Sequence, residues 1–199
     1  MRNSLWRLIS WTTRVALTTL LFAVTGNAAH AGGHERARLD TQLAAMEKLY
    51  PFAGTWLGEG WFTLRGERTE LVQGVTVSVE MKGQVMTTRD IILRRVEPAV
   101  PPASATFGVW SYDDLAGEYL FRSYFGAGFR DYEMSVPEPG LLIATGETER
   151  GLGRLTMDVR DGVWRERAER STDDGETWAP NYEIVMRRYA NPLGDPSVD

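Results

Sequence analysis

Four charged side chains stand where strand alternation points them into a sheet interior. Arg130 shares parity with Tyr132 and Met134, Glu166 and Arg170 share parity with Trp164 and Ala168, and Arg89 sits between Thr87 and Ile91. A charge buried without a partner is strongly unfavourable, so such residues either pair, reach water or meet a ligand. The arginine fork can grip a ligand carboxylate through two parallel hydrogen bonds, which makes Arg130 and Arg170 candidate anion anchors. Pairing of Glu166 with one of these arginines, or placement at a wet rim, explains the same pattern without a ligand. Trp56, Phe121, Tyr132 and Trp164 are the candidate apolar walls around them.

Other chemistries are excluded by composition. The chain has no Cys and two His, His30 and His34, both near its start. A Ser-His or Cys-His nucleophile system therefore has no base in the body of the chain. No zinc-ligand spacing, phosphate-cradling glycine loop or calcium loop is present. The acidic pairs Asp113-Asp114 and Glu147 with Glu149 fall in or beside turns, where solvation explains them. Ser171-Thr172-Asp173-Asp174-Gly175-Glu176-Thr177-Trp178 matches the Asp-box pattern, in which an Asp side chain caps backbone N–H groups of a hairpin and a Trp packs beneath. A single copy is read as the turn between the last two strands, since a propeller would repeat it blade by blade.

These residues sit on a ladder of about ten short alternating segments closed by Gly, Pro or Asp turns. Strands are expected over Thr55 to Leu64, around Val75, Val77, Val79 and Met81, and over Val85 to Leu93, with Lys82-Gly83 as a tight hairpin turn between the last two. Further strands are expected near Thr106 to Tyr112, Glu118 to Phe125, Phe129 to Val136, Leu141 to Glu147, Arg154 to Arg160, Val163 to Ser171 and Asn181 to Tyr189, with Asp161-Gly162 as a two-residue turn. Short links make consecutive strands neighbours, and closure removes the exposed edges of so long a meander. The fold class is thus all-β: a roughly ten-stranded antiparallel up-and-down β-barrel. Leu39, Leu43, Met46 and Leu49 recur at helical spacing before Pro51, so one N-terminal amphipathic helix is expected against the sheet. Tyr119 with Phe121, Tyr132 with Met134, Leu155 with Met157 and Ile184 with Met186 point inward, lining either a packed core or a cavity.

Gly54-Thr55-Trp56, at the exit from the helix into the first strand, and the meander that follows resemble the calycin-like barrels: lipocalins, fatty-acid-binding proteins, nitrobindin-type haem barrels and lipocalin-like families of unknown activity. The resemblance spans roughly residues 39 to 189. It implies that Trp56 closes the barrel floor and that the barrel holds a small, mostly apolar molecule. In the haem-binding branch a late His holds the iron, whereas no His follows His34 here and a Tyr would have to replace it. No cofactor and no metal are expected.

The first residues carry the layout of a secretory signal peptide: Arg2, Arg7 and Arg14, an apolar run from Val15 to Val24, and Ala29-His30-Ala31 before Gly32. The apolar run is short of the roughly twenty residues that span a bilayer, so no stable membrane insertion is expected after cleavage. The domain plan is a signal peptide over 1–31, a flexible lead-in over 32–38, the barrel over 39–189 and a flexible tail over 190–199. Cleavage leaves 19 of the 22 basic and all 27 acidic residues, shifting the formal charge from -5 to -8. That balance disfavours nucleic acid as a partner. The expectation is a periplasmic or secreted barrel that binds a small apolar or amphipathic molecule without changing it, with Val96 to Ala103 as a lid. The alternative is an isomerase or hydrolase using carboxylate, Tyr or Arg chemistry inside the same barrel. A perturbed Glu166 within hydrogen-bond reach of Tyr132 would favour it.

Overall fold

The computed structural model describes residues 33–64, 66–94 and 104–189. The leader, the Val96 to Ala103 connection and the tail from 190 onward lie outside these residues. The chain divides between Asp40 and Thr41, and the barrel belongs to the unit that begins at Thr41.

Helix α1 covers 33–47, so it starts ahead of Leu39 and includes the described part of the expected lead-in. Ten strands follow: β1 (Gly54–Leu64), β2 (Glu67–Glu80), β3 (Val85–Arg94), β4 (Ser104–Asp113), β5 (Glu118–Phe125), β6 (Gly128–Glu138), β7 (Leu141–Thr148), β8 (Gly151–Asp158), β9 (Trp164–Ser171) and β10 (Ala179–Arg188). Every consecutive pair is antiparallel, and β1 pairs with β10 from Trp56–Arg188 to Phe62–Tyr182, which closes the barrel. Gly58 and Gly60 make this closure possible. A Cβ at either position would lie within 2.1 Å of a β10 carbonyl oxygen, so only glycine permits the approach.

The alternation on β2 buries Leu71, Gln73, Val75 and Val77. It stops there: Val79 and Met81, which continue the same alternation in the sequence, are 43% and 67% exposed. The reason is the turn. The pair Glu80–Val85 brackets four residues rather than Lys82-Gly83 alone, and Met81, Lys82 and Gly83 all have positive φ. A Cβ on Gly83 would meet the Tyr50 hydroxyl at 2.2 Å, so the segment preceding β1 presses directly on this turn. Strand β8 likewise ends at Asp158 and not at Arg160. The connection through Asp161 and Gly162 is longer than two residues, with the Val163 N–H donating to Asp161 Oδ1 at 3.1 Å.

One end of the barrel is filled. Met46, Leu49 and Phe52 enter it from the segment before β1 and meet Trp56, Trp110 and Trp164, all fully or almost fully buried. Phe52 packs edge-on against Trp110 and Trp164 at 5.5 and 5.1 Å between ring centroids, and Trp56 against Trp164 at 5.5 Å. Burying each such side chain contributes about 1.5–3 kcal/mol. The Trp56 indole donates to the Phe52 carbonyl at 2.8 Å. Arg188 covers the same ring at 4.3 Å and donates to the Ala53 and Pro51 carbonyls at 2.6 and 2.9 Å. The Tyr119 hydroxyl donates to the Ala45 carbonyl at 2.9 Å, and the Gly140 N–H to the Lys48 carbonyl at 3.0 Å. These bonds tie the plug to separate hairpins and fix which end stays open.

At the open end the Asp-box orders the β9–β10 turn. Asp173 accepts from the Ser171 hydroxyl at 2.7 Å, the Thr177 hydroxyl at 2.6 Å and the Thr177 N–H at 2.9 Å. These bonds hold its carboxyl down at about 2. Trp178 donates to the Gly175 carbonyl at 3.0 Å and lies under the Arg154 guanidinium at 4.2 Å, against the outer wall.

Candidate functional site

Above the plug the barrel interior changes from apolar to polar. A cavity of about 290 Å³ is lined by side chains from eight strands. Its aromatic wall is Trp110, Phe121, Tyr132, Trp164 and Tyr182. Phe121 and Tyr132, direct neighbours across β5 and β6, stack at 4.9 Å. The remaining polar lining comes from Gln73, Thr88, Asp90, Thr106, Ser123 and Glu166.

Two carboxyl groups face this space. Glu166 accepts from the Trp164 indole at 3.1 Å. Burial, and then the neighbouring Asp90 charge, push its carboxyl up to about 8, against the lowering effect of hydrogen bonds with Trp164 and Tyr182. Asp90 accepts from the Thr106 hydroxyl at 2.6 Å, and burial raises it to about 6. The Tyr182 hydroxyl donates to Gln73 Oε1. Burial first, then the Glu166 and Asp90 charges, raise it well above its usual value. Among the described residues no ion pair involves either carboxyl. Of the two ligand-free alternatives the sequence left open, pairing of Glu166 with an arginine is therefore not found among the described residues. Glu166 does reach a tyrosine, but Tyr182 rather than Tyr132.

A second pocket of about 380 Å³ lies at the open end, and it brings Arg130 and Arg170 together with Arg150 and Asn181. Tyr132, Leu155 and Ala168 line both this vestibule and the inner cavity, so the two spaces adjoin. Arg130 lies 3.5 Å from the Tyr132 hydroxyl and 5.3 Å over the Phe125 ring. Two buried polar atoms, the Trp110 indole nitrogen and Asn181 Oδ1, have no hydrogen-bond partner among the described residues. The β6–β7 ladder begins only at Glu133–Thr145, and a groove of about 1100 Å³ that shares Arg130 and Tyr132 opens there.

Of the expected site residues, Phe121, Tyr132, Trp164 and Glu166 meet in the inner cavity and Arg130 and Arg170 at the vestibule. Trp56 lies below them in the plug. Arg89 is a correction: it is exposed on the outer surface, 6.0 Å over Phe107, because β3 buries Met86 and Thr88 and turns Asp90 inward. Asp90, Gln73, Tyr182 and Trp110 were not anticipated. Gln73 shares parity with Val75 and Val77, and Tyr182 with Ile184 and Met186, so extending those faces by two residues would have found both. Among the described residues no three His, Cys, Asp or Glu side chains gather to hold a metal ion.

No family model and no curated protein matches the sequence. Among solved structures, the crystal structure of Rv2717c from M. tuberculosis is similar, with TM-score 0.50 and 11% identity over 70% of this chain and 94% of that one. The likeness shows the fold alone. That fold is a closed ten-stranded antiparallel β-barrel. The S-type phycobiliprotein lyase CPES from Guillardia theta aligns with TM-score 0.47 and 10% identity, covering 71% of this chain and 90% of the lyase.

Proposed function

We propose that this chain is an exported barrel that holds a small amphipathic molecule without changing it, the acidic end of the molecule resting at the vestibule. The observation that carries this reading is the adjacency of two unlike spaces: an arginine-bearing mouth and an aromatic interior that share Tyr132, Leu155 and Ala168 in their walls. Their volumes, about 380 and 290 Å³, suit a small ligand. A wholly apolar ligand suits the interior poorly, because Gln73, Asp90 and Glu166 would be left facing it. Export rests on the signal-peptide layout of the first thirty-one residues.

Fluorescence titration with an anilinonaphthalene sulfonate dye tests the reading. The dye should bind, and the double substitution R130A with R170A should weaken it about tenfold or more, the loss expected when a charge-assisted contact is removed. Equal binding by the double variant would contradict the assignment of the anionic end. The isomerase reading is supported by the raised Glu166 and Asp90 carboxyls, which share a cavity and hold different proton occupancies near neutral pH. Recovery of a bound natural ligand in altered chemical form would favour it over the carrier.

A further inference from the structure

The inner cavity combines two features that separately favour a cation. Asp90 on β3 and Glu166 on β9 present carboxyl groups to one cavity whose lining holds no arginine or lysine. Around them stand five aromatic rings, those of Trp110, Phe121, Tyr132, Trp164 and Tyr182. Ring faces are electronegative and attract organic ammonium groups, most strongly where water is excluded.

We infer that the inner cavity is a subsite for a protonated organic nitrogen, an alkyl or aryl amine, held between Asp90 and Glu166 and faced by the aromatic wall. This rests on the reading of the barrel as a small-molecule binder and gives its ligand a direction: amine inward, acid outward. The two ends suit one molecule in scale. Glu166 and Arg170 lie four residues apart on β9, a rise of about 13 Å along the strand.

In the free protein, protonation relieves the buried carboxyls, and an entering ammonium takes the place of that proton. Binding therefore competes with protons, and affinity rises with pH through about 6 for Asp90 and about 8 for Glu166. The other titratable groups facing the cavity are Tyr182 on β10 and Tyr132 on β6. β2 contributes Gln73 and β3 also Thr88 and Ile92; β4 contributes Thr106 and Trp110, β5 Phe121 and Ser123, β8 Leu155 and Met157, and β9 also Trp164 and Ala168, none of which is charged. The charged groups of the vestibule are Arg130, Arg150, Arg154 and Arg170 with Glu149 and Glu169.

Calorimetric titration of the full barrel with octylamine, octanol and octanoate, at about pH 5 and about pH 9, separates the possibilities. Octylamine should bind about tenfold or more tightly than octanol at the higher pH, with the gap closing at the lower one. E166Q and D90N should each remove most of that gap while octanoate, which reads the arginine rim, binds as before and shows the barrel intact. Octylamine binding no better than octanol at either pH, or a gap that survives both substitutions, would overturn the amine subsite. Loss of octanoate binding in the R130A R170A variant would still stand apart as support for the vestibule, and its retention would strike at the vestibule alone.

Discussion

The Trp164 indole donates to the Glu166 carboxyl at 3.1 Å from two residues away on the same face of β9, and both side chains look into the barrel. A carboxyl so placed is protonated far above its unfolded range, because the surrounding rings replace the water that would stabilise its charge. The folded chain therefore binds more protons than the unfolded one between the ordinary carboxylate value and about 8 at Glu166, and up to about 6 at Asp90. Stability from these groups is complete below the unfolded values and is lost as pH rises through the folded ones. Wild-type protein should lose stability, on the order of a few kcal/mol, between mildly acidic and mildly alkaline pH relative to E166Q. Urea denaturation across that range checks this, and parallel curves for the two proteins would refute it.

Trp56 joins the plug to the first strand through its bond to the Phe52 carbonyl and the covering guanidinium of Arg188. Trp56→Ala removes a fully buried indole and strands that guanidinium over an empty site. The cost should be about 3–5 kcal/mol, read from the urea midpoint. A shift within the range of an ordinary surface substitution would show that the plug does not depend on this residue.

Asp173 is held at about 2 by the Ser171 and Thr177 bonds. Because its folded value is depressed, the stability it supplies is present above the unfolded value and lost as pH falls toward about 2. Asp173→Ala should lower Tm at neutral pH, and the difference from wild type should close in strong acid. A difference that is constant with pH would mean that the box acts through shape and not through the carboxylate.

The barrel itself was legible in the sequence because a period of two leaves a plain trace wherever one face is apolar. Tyr119, Phe121, Tyr132, Met134, Leu155, Met157, Ile184 and Met186 all took the side their parity assigned. On β3 that trace fails. Thr87-Thr88 and Ile91-Ile92 put similar residues on both faces, so Arg89 and Asp90 could not be told apart until the Glu80–Val85 pair set the register. The Glu166 environment was hidden for a different reason: which group meets it depends on β10 lying across β9, and Tyr182 follows a register shift after Pro180 that no single strand discloses. The plug was visible as a helical stripe, but its tie through Arg188 joins residues far apart in the chain.

The indole N–H resonances offer the most direct test of an occupied interior. Trp110 and Trp164 line the inner cavity, whereas Trp178 packs on the outer wall beneath Arg154. In a nitrogen-proton correlation spectrum titrated with octylamine or octanoate, the Trp110 and Trp164 signals should move together while Trp178 holds still. Movement confined to Trp178, with both interior indoles unchanged at saturating ligand, would contradict a barrel that carries its molecule inside.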